Sequence, residues 1–285
     1  MKKKILLLTD FSEASYDAIV YALELFRTER CSFYVLNVFK TTYNLIEDLV
    51  PPKSGEKGYD EPKKKSLEGL NKISKLITSK EEVNPFHTFD YMSLQNKSLL
   101  DAAEEIVEQK DIEMVVMATK GLTNDSSSVF GSNAIQVMEK IRNCPVLVVP
   151  KKAKKQIPKE IVFPTSYRTH YKKRELEYLI DIVGACNASL RVLHITNNGD
   201  IDENQKEHKE MLSDYFEGLK FSFHSLSCVT VSTAIKCFVE SRESDMVAFI
   251  NKKHAFFDTI FSKPLVKEIG YKLKVPVLVL HDLRN

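Results

Sequence analysis

Two passages of one pattern, laid end to end, leave this chain little choice of fold. Ala102, Ala103, Ile106 and Val107 recur as Ala234, Ile235, Phe238 and Val239, each 132 positions on. Met114-Val115 recurs as Met246-Val247 at the same offset, and Pro145-Val146-Leu147-Val148 as Pro276-Val277-Leu278-Val279 at 131. The earlier runs Ile5–Thr9 and Phe33–Val38 match Glu160–Thr165 and Leu190–Ile195, offset by 156 to 157. About 25 residues of the first copy are therefore absent from the second. The loss is assigned to the polar stretch Lys40–Lys65, with its Pro51-Pro52, Gly55 and Gly58.

Within the first copy, short apolar runs read as buried strands: Ile5–Thr9, Phe33–Val38, Phe86–Met92, Glu113–Ala118 and Val146–Val149. Between them, apolar residues fall at helical spacing: Ala14, Ala18, Ile19, Ala22, Leu23 and Phe26 after Ser12 as N-cap, then Leu67, Leu70, Ile73, Leu76 and Ile77. Leu99–Val107 and Ser132–Ile141 complete the set. Strands alternating with helices form βαβ units and a parallel sheet. The reading gives one α/β unit over 1–150, a basic linker over 151–159 and a second unit over 160–285. The linker and the Lys63–Lys65 run read as solvated charge, not as phosphate patches.

Composition narrows the function. With 41 Lys and Arg against 39 Asp and Glu, the net charge is +2, so no basic footprint for nucleic acid is expected. The opening has four consecutive apolar residues, Ile5–Leu8, too few for a secretory signal, and no run approaches a membrane span. Five scattered cysteines without a C-x-x-C pair suit reduced, mostly buried thiols, with no metal site. The expected setting is cytoplasmic.

The chemistry gathers between Ala118 and Asn133. This segment runs from a strand's carboxyl end to a helix's amino end, where open parallel sheets bind ligands. Gly131-Ser132 opens the helix, presenting free N–H groups and a positive dipole end that favour phosphate. Gly121 permits a turn, while Lys120, Thr123, Ser126 and Ser128 offer further contacts. The alternative is a plain loop ending in a Ser N-cap. There is no Walker Gly-Lys-Ser/Thr. Asp10 ends the first strand at the same sheet edge. Its carboxylate can accept from an adenine amino group or ribose hydroxyls, or else cap the next helix.

Asp10, the run Ala118-x-x-Gly121-x9-Gly131-Ser132 and the closing Cys144-Pro145-Val146-Leu147-Val148-Val149 together resemble the universal stress protein family, in a tandem two-domain form. The resemblance implies two five-stranded parallel α/β sandwiches of the adenine-nucleotide hydrolase-like, Rossmann-like type. The family's nucleotide-binding branch carries G-x-x-G-x9-G-[ST], and this chain departs from it at Ala118. By the resemblance, Asp10 contacts adenine, backbone at Val38 reads the base edge, and Ala118 lies near ribose and phosphates. Gly121, Gly131, Ser132 and Asn133 then hold the phosphates of ATP, with or without Mg2+.

In the second copy, Asn251–Lys263 contains no glycine and Ser166 replaces Asp10. Phe256, Phe257, Ile260 and Phe261 read as packing, so this copy is expected to be degenerate. His194, His254 and His281 fall at the carboxyl edge and read as ordinary surface or capping residues.

The resulting expectation is a stress-response regulator that binds ATP in its first unit and signals to a protein partner by conformation, with no catalytic residues. The alternatives are a scaffold without nucleotide, and slow ATP hydrolysis or self-phosphorylation on Ser126–Ser128. By the same resemblance, the short apolar closing strands Val146–Val149 and Val277–Leu280 are expected to pair the copies as an intramolecular pseudo-dimer, with pairing of intact chains into a homodimer left open.

Overall fold

Ile5, Leu6, Leu7 and Leu8 are all buried although their side chains alternate between faces, because helices cover both sides of their strand. In the computed structural model, residues 2–42, 52–80, 84–95, 98–119, 131–151, 153–196, 201–227, 230–251 and 274–281 are described. The first half runs β1 (Lys3–Leu8), α1 (Glu13–Leu25), β2 (Cys31–Phe39), α2 (Lys57–Lys80), β3 (His87–Gln95), α3 (Leu99–Lys110), β4 (Met114–Ala118), α4 (Ser132–Lys140) and β5 (Val146–Val149). The second runs β6 (Glu160–Thr165), α5 (Lys173–Ala185), β7 (Ser189–Thr196), α6 (Glu203–Tyr215), β8 (Lys220–Ser227), α7 (Val231–Arg242), β9 (Met246–Asn251) and β10 (Val277–His281).

The ten strands among the described residues form one sheet, ordered β3-β2-β1-β4-β5-β10-β9-β6-β7-β8. Each half repeats the same parallel order about its own first strand. At the centre β5 and β10 pair antiparallel, with Val148 opposite Val277, Leu147 opposite Leu278 and Val146 opposite Val279. These short apolar strands would otherwise be open edges, and pairing satisfies their backbone groups. One apolar layer packs α1, α2, α5 and α6 on the sheet, the other α3, α4 and α7, and each contains residues of both halves.

The extra residues of the first half are partly helix. The polar stretch was expected as far as Lys65, yet α2 begins at Lys57 and has 24 residues against 13 in α6. Tyr59 packs edge-on against Phe39, with centroids 5.5 Å apart, and Leu70, Ile73 and Ile77 are buried. Pro62 sits inside this helix and cannot donate to the Gly58 carbonyl. That carbonyl instead accepts from the Thr42 N–H at 2.9 Å. A side chain at Gly58 would collide with the Thr42 carbonyl, so glycine is required there.

The linker lies along the first half. Lys151 pairs with Glu13 at 2.9 Å and Lys155 with Asp17 at 2.5 Å, one turn apart on α1. Its far end is held by Asp245, which accepts from the Lys159 and Glu160 N–H groups at 2.9 and 3.2 Å. Both lysine side chains stay exposed, so these are surface ion pairs on a solvated linker.

Candidate functional site

The strand order reverses between β1 and β4, which leaves a crevice where their connecting helices leave on opposite faces. A cleft of about 520 Å³ opens there. Asp10, Val38, Ala118, Gly131, Ser132 and Asn133 all line it. Gly121, with Lys120, Thr123, Ser126 and Ser128, lies outside the described residues.

Asp10 stands in a turn built by its neighbours. The Thr9 hydroxyl accepts from the Phe11 N–H at 3.1 Å, and the Asp10 carboxylate accepts from the Ser12 N–H at 3.1 Å. Phe11 takes the left-handed φ of 65°, uncommon for a bulky residue. The cap of α1 is Ser12, whose hydroxyl accepts from Ser15 N–H at 3.1 Å. Asp10 therefore shapes the turn instead of capping the helix.

The amino end of α4 differs from what a Ser N-cap would give. Gly131 is the N-cap, with no side-chain cap hydrogen bond, and Ser132 is the first helical residue. Gly131 donates its own N–H to the Thr119 carbonyl at 2.7 Å, and the first intrahelical bond comes from Ile135. By contrast Ser12, Ser98, Asp202 and Thr230 cap α1, α3, α6 and α7 with side-chain oxygens. First-turn N–H groups need an acceptor, and among the described residues the N-cap of α4 has no side chain to supply one.

Sequence reasoning missed Asn37, Lys40 and Gln136, which also line the cleft. Asn37 could have been found as a polar residue inside an apolar strand run. It is buried and donates from Nδ2 to the Thr9 carbonyl at 2.8 Å, holding β2 to the Asp10 turn. Among the described lining residues the charged ones are Asp10 and Lys40.

The second half keeps the turn and changes its surroundings. Tyr167 repeats the left-handed φ at 56°, and its N–H donates to the Thr165 hydroxyl at 3.1 Å. His194 takes the place of Asn37: its Nδ1 lies 3.1 Å from the Thr165 carbonyl and so carries the proton. Tyr167 stacks on His194 with centroids 4.6 Å apart. Helix α6, reached by a shorter connection, brings Gln205 Nε2 to the Ser166 carbonyl at 2.8 Å and His208 to the Tyr167 carbonyl at 2.6 Å. His194 and His281 are only 4% and 3% exposed, so these two are core residues, where ordinary surface or capping histidines were expected. Burial pushes the His194 imidazole below its usual range. His254 and the phenylalanines at 256, 257 and 261 lie outside the described residues.

Three of the described cysteines are poor nucleophiles. Burial pushes the Cys31 and Cys144 thiols up to about 12 and Cys186 up to about 11. Among the described residues no cluster of three or more metal-ligating side chains occurs. No described helix is long and apolar enough to cross a membrane.

A model of the universal stress protein family matches residues 1–150. The chain belongs to the universal stress protein family. Among curated members, universal stress protein MJ0531 of Methanocaldococcus jannaschii is 29% identical over 164 residues, 54% of this chain and 85% of that one. A universal stress protein from Archaeoglobus fulgidus DSM 4304 is similar over 97% of this chain and 95% of its own, with a TM-score of 0.70 and 18% identity. The functionally unknown protein PA1789 of Pseudomonas aeruginosa PAO1 aligns over 98% and 92%, with a TM-score of 0.63 and 12% identity. At these identities the two solved structures show a shared fold, and they show it across both halves. The family fold thus extends over the whole chain, although the family model covers only its first half.

Proposed function

We propose that the first half, residues 1–150, binds an adenine nucleotide in this cleft and that the bound state is read by a protein partner, without catalysis. The observation that carries this is the amino end of α4, whose glycine N-cap makes no side-chain cap hydrogen bond and which lines the cleft together with Asp10. Phosphate oxygens would satisfy the first-turn N–H groups of Ser132, Asn133 and Ala134, aided by the helix dipole. Asp10, held by the Ser12 N–H, would accept from the adenine amino group or ribose hydroxyls, and backbone at Val38 would meet the base edge. Ala118 adds one methyl to the wall beside the ribose. Mg2+, where present, would arrive with the phosphates, since it keeps several waters and favours phosphate oxygens. The second half, 160–285, would act as support.

Denaturing mass spectrometry of the purified chain, with calorimetry after stripping, tests this. One adenine nucleotide per chain is expected, lost in both Gly131→Glu and Asp10→Ala. No binding of ATP or ADP to the intact chain at millimolar ligand overturns it.

A further inference from the structure

Helix α4 is gripped at both ends by equivalent residues of the two halves. At its amino end, the Thr119 carbonyl accepts from the Gly131 N–H at 2.7 Å. Asn251, which ends β9, stands 132 positions after Thr119 and so occupies the matching place in the repeat. It holds the other end. Asn251 donates from Nδ2 to the Met138 carbonyl at 3.2 Å. In return Arg142, two residues past the helix, donates from Nη2 to the Asn251 carbonyl at 2.8 Å and from Nη1 to the Glu139 carbonyl at 3.5 Å.

The physics favours this brace. The last carbonyls of a helix have no intrahelical donors, and its carboxyl end carries partial negative charge. An amide N–H and a guanidinium therefore meet the Met138 and Glu139 carbonyls where they are needed. The helix has nine residues and spans about 14 Å at 1.5 Å per residue, a short rod whose far end lines the cleft.

We infer that Arg142 and Asn251 are positioning residues for the cleft: through α4, the second half sets where the phosphate-facing amino end stands. The ligand named here rests on the nucleotide reading, while the brace itself does not. The coupling is reciprocal, so a nucleotide that fixes the amino end of α4 also tightens the Arg142–Asn251 contact and carries the bound state into the second half.

The test uses the intact chain and three variants, Asn251→Leu, Arg142→Met and the conservative Arg142→Lys. Hydrogen exchange of the 131–141 amides needs no ligand. Exchange should quicken about two- to tenfold in the first two variants, the span expected for one or two hydrogen bonds, and much less in Arg142→Lys. Calorimetry should show ADP weakened by a similar factor with adenosine unchanged, because only phosphates meet α4. Unchanged exchange overturns the brace. Equal losses for ADP and adenosine overturn the positioning role, since they indicate general loosening. If the wild type binds neither, the nucleotide reading fails and the exchange arm alone decides the brace.

Discussion

Phe11 and Tyr167 hold the same left-handed turn, one beside the cleft and one in a half whose turn is covered by Gln205 and His208. The strain therefore belongs to the first βα turn of the fold and is not a mark of ligand binding. What distinguishes the first half is the carboxylate between Thr9 and Phe11, where the second half has Ser166. Asp10→Asn keeps an oxygen for the Ser12 N–H and should preserve the fold. Its expected effect is a loss of nucleotide affinity of about ten- to a hundredfold, since hydrogen bonds to charged groups contribute about 1.5–3 kcal/mol. A melting temperature within a few degrees of wild type, together with weakened ATP binding by calorimetry, checks this. Asp10 and Gly131 were legible as site residues because each ends or starts an element at the carboxyl edge. Asn37 was legible only as a polar residue inside an apolar strand run, and Lys40 was not, because nothing local distinguishes a lysine just past a strand that faces a cleft from one that faces solvent.

At the scale of elements, Gly69 in α2 leaves room for the Phe11 ring, which a Cβ there would strike. Alanine normally favours a helix interior by about 1 kcal/mol over glycine. Here Gly69→Ala is expected instead to destabilise by about 1–3 kcal/mol through overpacking. The same change in a Phe11→Ala background should lose that penalty, and urea unfolding of the four chains measures the difference. Glu160 joins β6, β7 and α7. Its carboxylate accepts from Arg191 Nε at 2.7 Å, from Arg242 Nε and Nη2 at 2.8 Å each, and from the Ser244 hydroxyl at 2.8 Å. Burial alone would raise its pKa, but the bonds from Arg242, Arg191 and Ser244 outweigh burial and hold it at about 2. Because the folded value lies below the ordinary one of 4.5, this stabilisation is complete above about pH 4.5 and is lost as pH falls toward 2. Stability measured against pH should fall across that window, and Glu160→Gln should flatten the fall. Strands with unbroken apolar runs, such as β1 and β4, were plain in the sequence. The first turns of α2 were not, because Gly58, Pro62 and three lysines hide a helix whose start depends on Thr42 and Phe39 in another element.

For the molecule as a whole, the halves share both apolar layers and a central strand pair. A fragment ending at Lys152 exposes β5 and strips the layers of their second-half residues. It should dimerise through β5 or aggregate, and sedimentation of the fragment as a stable monomer would count against this. The doubled α/β pattern could be read from the repeat offsets, and the pairing of Val146–Val149 with Val277–Leu280 from the family resemblance. The grip of Asn251 and Arg142 on α4 could not, because it joins residues 109 apart in sequence whose types are unremarkable. If one half carries a nucleotide site and the other supports it, calorimetric titration of ATP into the stripped, intact chain should show one site per chain, abolished by Gly131→Glu. Two equivalent sites, no binding at millimolar ATP, or full binding in Gly131→Glu would contradict that division of roles.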